Sequence, residues 1–214
     1  MDRQRQRKGL CDMELLTISD LIFRLPASDS PLSADVGIVR GDRFDWLFDI
    51  GGSEEAAYAI QKNCRERIVV LSHFHADHAA NLSRVPHRAL YCGGYTARRL
   101  REGTAVQGPL CFKDGVRLKV FPLPSVHSKG SVGLLVNEEY AFLGDAVYGA
   151  PKAGRTAYNV SALRELILAL ENIPAPYFFI SHDPVFVHPK ETVVSTLKNL
   201  YERRAQNESF LFLK

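Results

Sequence analysis

Apolar and polar positions alternate along Leu15–Leu25, Ala34–Arg40 and Phe44–Asp49, which predicts three strands joined by turns rich in Pro, Ser, Asp and Gly. The chain therefore opens as a β-meander. Ser53 followed by Glu54 and Glu55 reads as an N-cap with acids against the helix dipole, starting a helix that runs to about Asn63. Arg67–Ser72 is a short β-branched strand with the unbroken apolarity of a buried position. A second round follows: a strand near Ala89–Cys92, a helix from Tyr95 to about Arg101, and strands at Val116–Phe121, Ser131–Val136 and Tyr140–Leu143. A helix capped by Ser161 repeats Leu163, Leu166, Ile167, Leu170 and Ile173 at helical spacing, so one face rests on a sheet until Pro174 and Pro176 end it. Tyr177–Ser181 is a further strand, and an amphipathic helix over about Lys190–Arg204 closes the chain.

Two similar rounds of mixed strands and helices predict an α/β or α+β sandwich with sheets face to face and helices outside. No linker, internal repeat or low-complexity run divides the pattern, so 13–214 reads as one domain behind a basic, flexible tail at 1–12. At 214 residues, 46% hydrophobic and 24% charged, the chain can bury a single core, which excludes disorder, collagen and coiled coil.

No apolar stretch approaches the roughly 18 residues a membrane span needs. The basic N-terminus leads into Cys11, Asp12 and Glu14 and not into an apolar secretory segment, so the expected location is cytoplasmic. Cys11, Cys64, Cys92 and Cys111 form no CxxC pair and read as reduced packing residues. A net charge of +3 is too mild to imply a nucleic-acid partner.

The chemistry concentrates at the end of the Arg67–Ser72 strand, where Ser-His-Phe-His-Ala-Asp-His places His73, His75, Asp77 and His78 within six positions. In an extended chain His73 and His75 point to one side and can share a metal. Asp77 and His78, where the chain turns toward a helix, can reach a second position a few ångströms away. Neutral imidazoles with a carboxylate suit zinc, and iron or manganese could use the same set. His127, Asp145 and His182 each sit in a loop directly after a short apolar strand, in KVFPLPSVH, YAFLGD and YFFISH. Strand ends are rigid platforms, and a metal centre needs ligands fixed to within about half an ångström. Asp49 closes WLFDIGG in the same manner and reads as a partner that holds a histidine ring or loop backbone behind the ligands.

The ordered set Asp49, HFHADH at 73–78, His127, Asp145 and His182 resembles the metallo-β-lactamase-fold hydrolases, over roughly Leu15 to His188. That resemblance implies an αβ/βα four-layer sandwich, an α+β fold with a dinuclear site at one edge of the paired sheets. It implies that His73, His75 and His127 hold one metal, that Asp77, His78 and His182 hold the other, and that Asp145 bridges them. The ions would be two Zn2+, with Mn2+ or Fe possible. A hydroxide between them would attack an ester, lactone, thioester or related bond of a small molecule, with Asp77 orienting it and handling its proton.

Tyr148, three residues after Asp145, could donate a hydrogen bond to a developing oxyanion. Its spacing and SHFHADHAANL are similar to those of acyl-homoserine lactonases of this fold, so small-molecule hydrolases of the lactonase and glyoxalase II type are the nearest resemblance. Lys129 reads as a solvated lysine with a possible anion contact, and His87 and His188 as surface or hydrogen-bonding residues. The segments Ser28–Ser33 and Ala150–Tyr158 read as loops over the metals, with Lys152 and Arg155 available to an anion.

A different chemistry remains open, because persulfide dioxygenases also resemble this fold and would use His73, His127 and Asp145 on a single iron. Nucleases of the fold usually carry large insertions, for which the intervals from His78 to His127 and from Asp145 to His182 leave no room.

Overall fold

A computed structural model describes residues 13–213. The first half runs β1 (Leu16–Thr17), β2 (Ile22–Leu25), β3 (Ser28–Asp29), β4 (Leu32–Ser33), β5 (Val36–Arg40), β6 (Asp45–Phe48), α1 (Glu54–Asn63), β7 (Arg67–Leu71), α2 (Ala76–Ala79), β8 (Ala89–Gly93), α3 (Gly94–Leu100) and β9 (Thr104–Val106). The second half runs β10 (Leu110–Lys113), β11 (Arg117–Leu123), β12 (Ser131–Val136), β13 (Tyr140–Gly144), β14 (Ala150–Lys152), β15 (Arg155–Asn159), α4 (Val160–Glu171), β16 (Tyr177–Ile180), β17 (Val187–Pro189), α5 (Lys190–Glu202) and β18 (Phe210–Phe212).

The halves build one sheet each, in the order β1-β2-β5-β6-β7-β8-β9 and β10-β11-β12-β13-β16-β17. In the first sheet β2, β5 and β6 pair antiparallel as the expected meander, whereas β6, β7, β8 and β9 run parallel. Strand alternation sorts the side chains into layers. On β7, Ile68 and Val70 join Phe48, Val132, Leu134 and Phe142 between the sheets, while Val69 and Leu71 turn outward onto Ala57 and Ile60 of α1. On β13, Phe142 faces inward, while Ala141 and Leu143 pack outward on Leu163, Leu166 and Leu170 of α4 and Leu197 of α5. Helix, sheet, sheet, helix is the αβ/βα sandwich, an α+β fold.

Local chemistry accounts for several departures from the predicted elements. Leu15–Leu25 is two strands and not one, because the Ser19 hydroxyl accepts the Ile22 backbone N–H at 3.2 Å and turns the chain between β1 and β2. The cap of α4 is Asn159 and not Ser161: the Asn159 side chain accepts from the Ala162 N–H at 2.9 Å, so the helix starts earlier. Ser53 caps α1 as expected, accepting from Ala56 N. Ser28–Ser33 is the β3–β4 hairpin, and Ala150–Tyr158 folds as β14 and β15, which β18 joins in a three-stranded sheet. Cys92 is buried and Cys64 half-buried, as packing residues are, but Cys111 lies exposed on the edge strand β10. The tail at 1–12, with Cys11, lies outside the described residues. Among the described residues no helix is long and apolar enough to cross a membrane.

Candidate metal centre

The site lies where strands of both sheets end. β7 delivers Ser72 and His73 directly and His75 and α2 just beyond, β13 delivers Asp145, β16 delivers His182, and the loop from β11 to β12 carries His127. All seven predicted ligands come together, in two groups whose donor atoms lie within 4.8 Å of one another: His73, His75 and His127, and Asp77, His78, Asp145 and His182.

In the first group the nitrogens face one another. His75 Nδ1 lies 2.9 Å from His73 Nε2 and 3.1 Å from His127 Nε2. A tetrahedral zinc with bonds of 2.0–2.1 Å separates its donors by about 3.3 Å, so these nitrogens stand close to ligand spacing. In the second group His78 Nε2 lies 3.5 Å from Asp77 Oδ2 and 3.3 Å from Asp145 Oδ2, and His182 Nε2 lies 3.0 Å from Asp77 Oδ2. Asp145 Oδ2 also stands 3.4 Å from His127 Nε2, so one carboxylate oxygen faces both groups.

The polar atoms behind the donors are satisfied, and two of those in front are not. Asp49 Oδ1 accepts the Ser72 N–H at 2.7 Å and Oδ2 takes His78 Nδ1 at 2.8 Å; Ser72 Oγ lies 2.9 Å from His73 Nδ1. Buried His78 Nε2 and Asp145 Oδ1 have no hydrogen-bond partner. Buried polar atoms are seldom left so, and a cation between the groups would satisfy both. The donor set therefore fits a divalent metal.

The electrostatics point the same way. Burial, reinforced by the neighbouring rings of His78, His75 and His127, pushes the His73 imidazole far below its usual range, so it is neutral and one ring nitrogen keeps a lone pair. His75 is lowered in the same direction by burial and by His127. Burial would lower His78 too, but the carboxylates of Asp49 and Asp145 outweigh it and push the ring up to about 10. The hydrogen bond to Asp77 raises His182 against its burial. For Asp77, burial is outweighed by the His182 hydrogen bond and the nearby His78, which hold the carboxyl at about 2. Burial raises the Asp49 carboxyl against the pull of His78.

The other candidates are less central. Tyr148 donates its phenol to the Ser181 carbonyl at 2.8 Å, and burial pushes its pKa well up, so it keeps its proton. Lys129 is exposed. Lys152 and Arg155 lie over the Phe210 and Phe212 rings, at 4.0 and 5.0 Å. His87 Nδ1 lies 2.8 Å from the Val85 carbonyl, and His188 Nε2 lies 3.2 Å from Asp183 Oδ1. Two cavities of about 360 Å³ open on the outer face of the second sheet, lined by Phe121, Leu123 and Ile173 and by Cys111, Lys119 and Leu135, and no ligand residue lines either. A third, of about 330 Å³, lies against Tyr148, Tyr158 and Asp183.

Sequence reasoning missed Ser72, Arg24 and Asp35. Ser72 has a readable signal, its place directly before His73. Asp35 has only the oddity of a charge at the start of an apolar strand, and nothing in the sequence pairs it with Arg24 or with the distant His182.

By sequence, no protein-family model and no curated protein matches the chain. By structure it is similar to a metallo-β-lactamase from Pontibacter korlensis, with 21% identity over 89% of this chain and 99% of that one, at a TM-score of 0.67. The metallo-β-lactamase DIM-1 is similar at a TM-score of 0.69, with 16% identity over 90% of this chain and 98% of that one. An archaeal metallo-β-lactamase superfamily protein from Sulfolobus tokodaii is similar at 0.58, with 15% identity over 89% and 90% of the two chains. The chain thus has the metallo-β-lactamase fold, as its motifs suggested, with a histidine and aspartate cluster at the edge of the paired sheets that can bind metal.

Proposed function

We propose that the chain is a dinuclear metal-dependent hydrolase that cleaves an ester, lactone, thioester or related bond of a small molecule. The observation that carries this reading is Asp145 Oδ2, which faces His127 of one donor group and His78 of the other across 3.4 and 3.3 Å. His73, His75 and His127 would hold one ion and Asp77, His78 and His182 the second, with Asp145 between them. Zinc suits the donors, and manganese or iron would fit. When bound, such ions supply Lewis acidity and bring the pKa of a shared water down to about 7.

The chain's own residues supply the rest. Asp77 is ionised at neutral pH and its side chain is 16% exposed, against 8% for Asp145, so it is the carboxylate that an incoming water can reach. Its Oδ2 is turned to His182, which leaves Oδ1 to orient that water and take its proton. Tyr148 keeps its proton and could donate it toward an oxyanion after releasing the Ser181 carbonyl.

The test is metal analysis of the purified protein, followed by a screen of the loaded form against lactones, glutathione thioesters, phosphodiesters and β-lactams. Two ions per chain and turnover of one class support the reading. One iron per chain with oxygen uptake on a persulfide replaces it with dioxygenase chemistry, and a loaded protein inert toward every class overturns it.

A further inference from the structure

The ligands are not all carried the same way. His73 leaves β7 extended, and His78 rides on α2 with Asp49 behind it. His182 stands two residues past β16 with φ at +61°, a left-handed conformation uncommon for a residue with a side chain. Such a backbone persists only where its surroundings over-determine it.

The surroundings that do so belong to the other sheet. Asp35 immediately precedes β5 and is 2% exposed. Its Oδ2 accepts the His182 N–H at 2.8 Å and the Ser181 hydroxyl at 3.3 Å, and its own N–H donates to Ser181 Oγ at 3.1 Å. Its Oδ1 accepts Arg24 Nε at 2.6 Å and the Ala27 N–H at 3.0 Å. Arg24 supplies the countercharge this burial requires, reaches the Asp183 carbonyl at 3.3 Å, and lies over the Phe186 ring at 4.3 Å. Arg24 and Asp35 thus grip residues on both sides of His182 and tie its loop to the first sheet, which carries Asp77 and His78.

We infer that Asp35, held by Arg24, is a positioning residue that sets His182 against Asp77 and so governs the ion of the second donor group and not that of the first. This rests on the dinuclear reading above. No part of the clamp touches His73, His75 or His127; Ser72 Oγ stands behind His73 and the Gly149 carbonyl behind His127. The clamp also needs a carboxylate: all four groups facing its two oxygens are donors, so an amide at 35 sets its NH2 against donors in either orientation.

The test is zinc titration of the metal-free full-length protein against a chromophoric chelator, with wild type, Asp35→Asn and Ser181→Ala compared. Wild type is expected to take two equivalents. Asp35→Asn is expected to keep one at wild-type affinity and weaken the other by about 10–100-fold, the usual effect of removing a partner behind a ligand. Ser181→Ala, which removes one hydroxyl and leaves the His182 N–H contact, weakens the same equivalent less; it carries the comparison if Asp35→Asn does not fold. The cobalt-loaded forms give a second readout, with ligand-field bands changed for one ion only. Two unchanged affinities in Asp35→Asn, or both falling together, would overturn the inference. Fewer than two equivalents in wild type would overturn the dinuclear reading itself, and the inference with it.

Discussion

Asp49 Oδ2 lies 2.8 Å from His78 Nδ1, with both side chains at most 1% exposed, so the ring is locked with Nε2 pointing at Asp77 and Asp145. Asp49 cannot be replaced by its amide without loss: an NH2 toward the Ser72 N–H meets a donor, and an NH2 toward His78 Nδ1 makes that nitrogen an acceptor and moves the ring proton to Nε2, the atom that faces the site. Asp49→Asn is expected to fold and to bind zinc about 10–100-fold more weakly, read by competition with a chelator. Wild-type affinity in that variant would remove Asp49 from the centre.

Asp77 separates rate from metal content. His78, Asp145 and His182 remain in its group when it is lost, so an ion keeps three donors there. Asp77→Ala loaded with excess metal is therefore expected to retain its ions by elemental analysis while kcat falls by about 10²–10⁴, the range for losing a positioned proton acceptor. A parallel loss of metal and rate would make Asp77 a ligand only.

The pH dependence follows from His78, raised from 6.5 to about 10 by its two carboxylates. A histidine raised in the folded state stabilises the metal-free protein fully below about pH 6.5, and that contribution disappears as pH climbs through 10. The metal-free melting temperature is expected to drop between pH 7 and 10. Metal binding at pH 7 must displace that proton, so affinity for the second group should rise by about tenfold per pH unit for each proton released. Calorimetry in buffers of different ionisation enthalpy counts the protons; a count of zero would contradict the coupling of His78 to its carboxylates.

Much of this architecture is legible in the sequence because its signals are local. The apolar runs of β7, β12 and β13 and the helical repeat Leu163 to Ile173 each name their own element, and all seven candidate ligands announce themselves as histidines or aspartates at or soon after strand ends. What is not legible is long-range or short. Arg24, Asp35 and Ser181 are ordinary residues until the two sheets meet, 146 positions separating Asp35 from Ser181. The strands β14 and β15 are brief and carry polar residues, and β15 acquires its pairing from the short apolar strand Phe210–Phe212 at the far end of the chain. The cap of α4 is not legible either, because Asn159 and Ser161 are both good caps and tertiary context chooses Asn159 over the expected Ser161.

A tight approach between the two sheets near the site makes a final prediction. Gly93 ends β8 and Gly130 stands just before β12, with φ at +71°, and a Cβ on residue 93 would run into the backbone carbonyl of Gly130. A carbonyl cannot rotate aside as the end of a side chain can, so the segment Ser128–Ser131 would have to move. That segment follows His127 directly, and Val132 N beyond it donates to the Ser72 carbonyl at 3.0 Å, beside His73. Gly93→Ala is expected to cost about 1–3 kcal/mol, as overpacking does, and for a chain of this size each kcal/mol lowers the melting temperature by about 2–4 °C. It should also weaken metal binding by the group containing His127 while sparing the group containing His182. Gly108→Ala is the control, since nothing lies within 4 Å of a Cβ there. If both variants melt with wild type, the sheets are not in contact at Gly93, and the placement of the His127 loop fails with it.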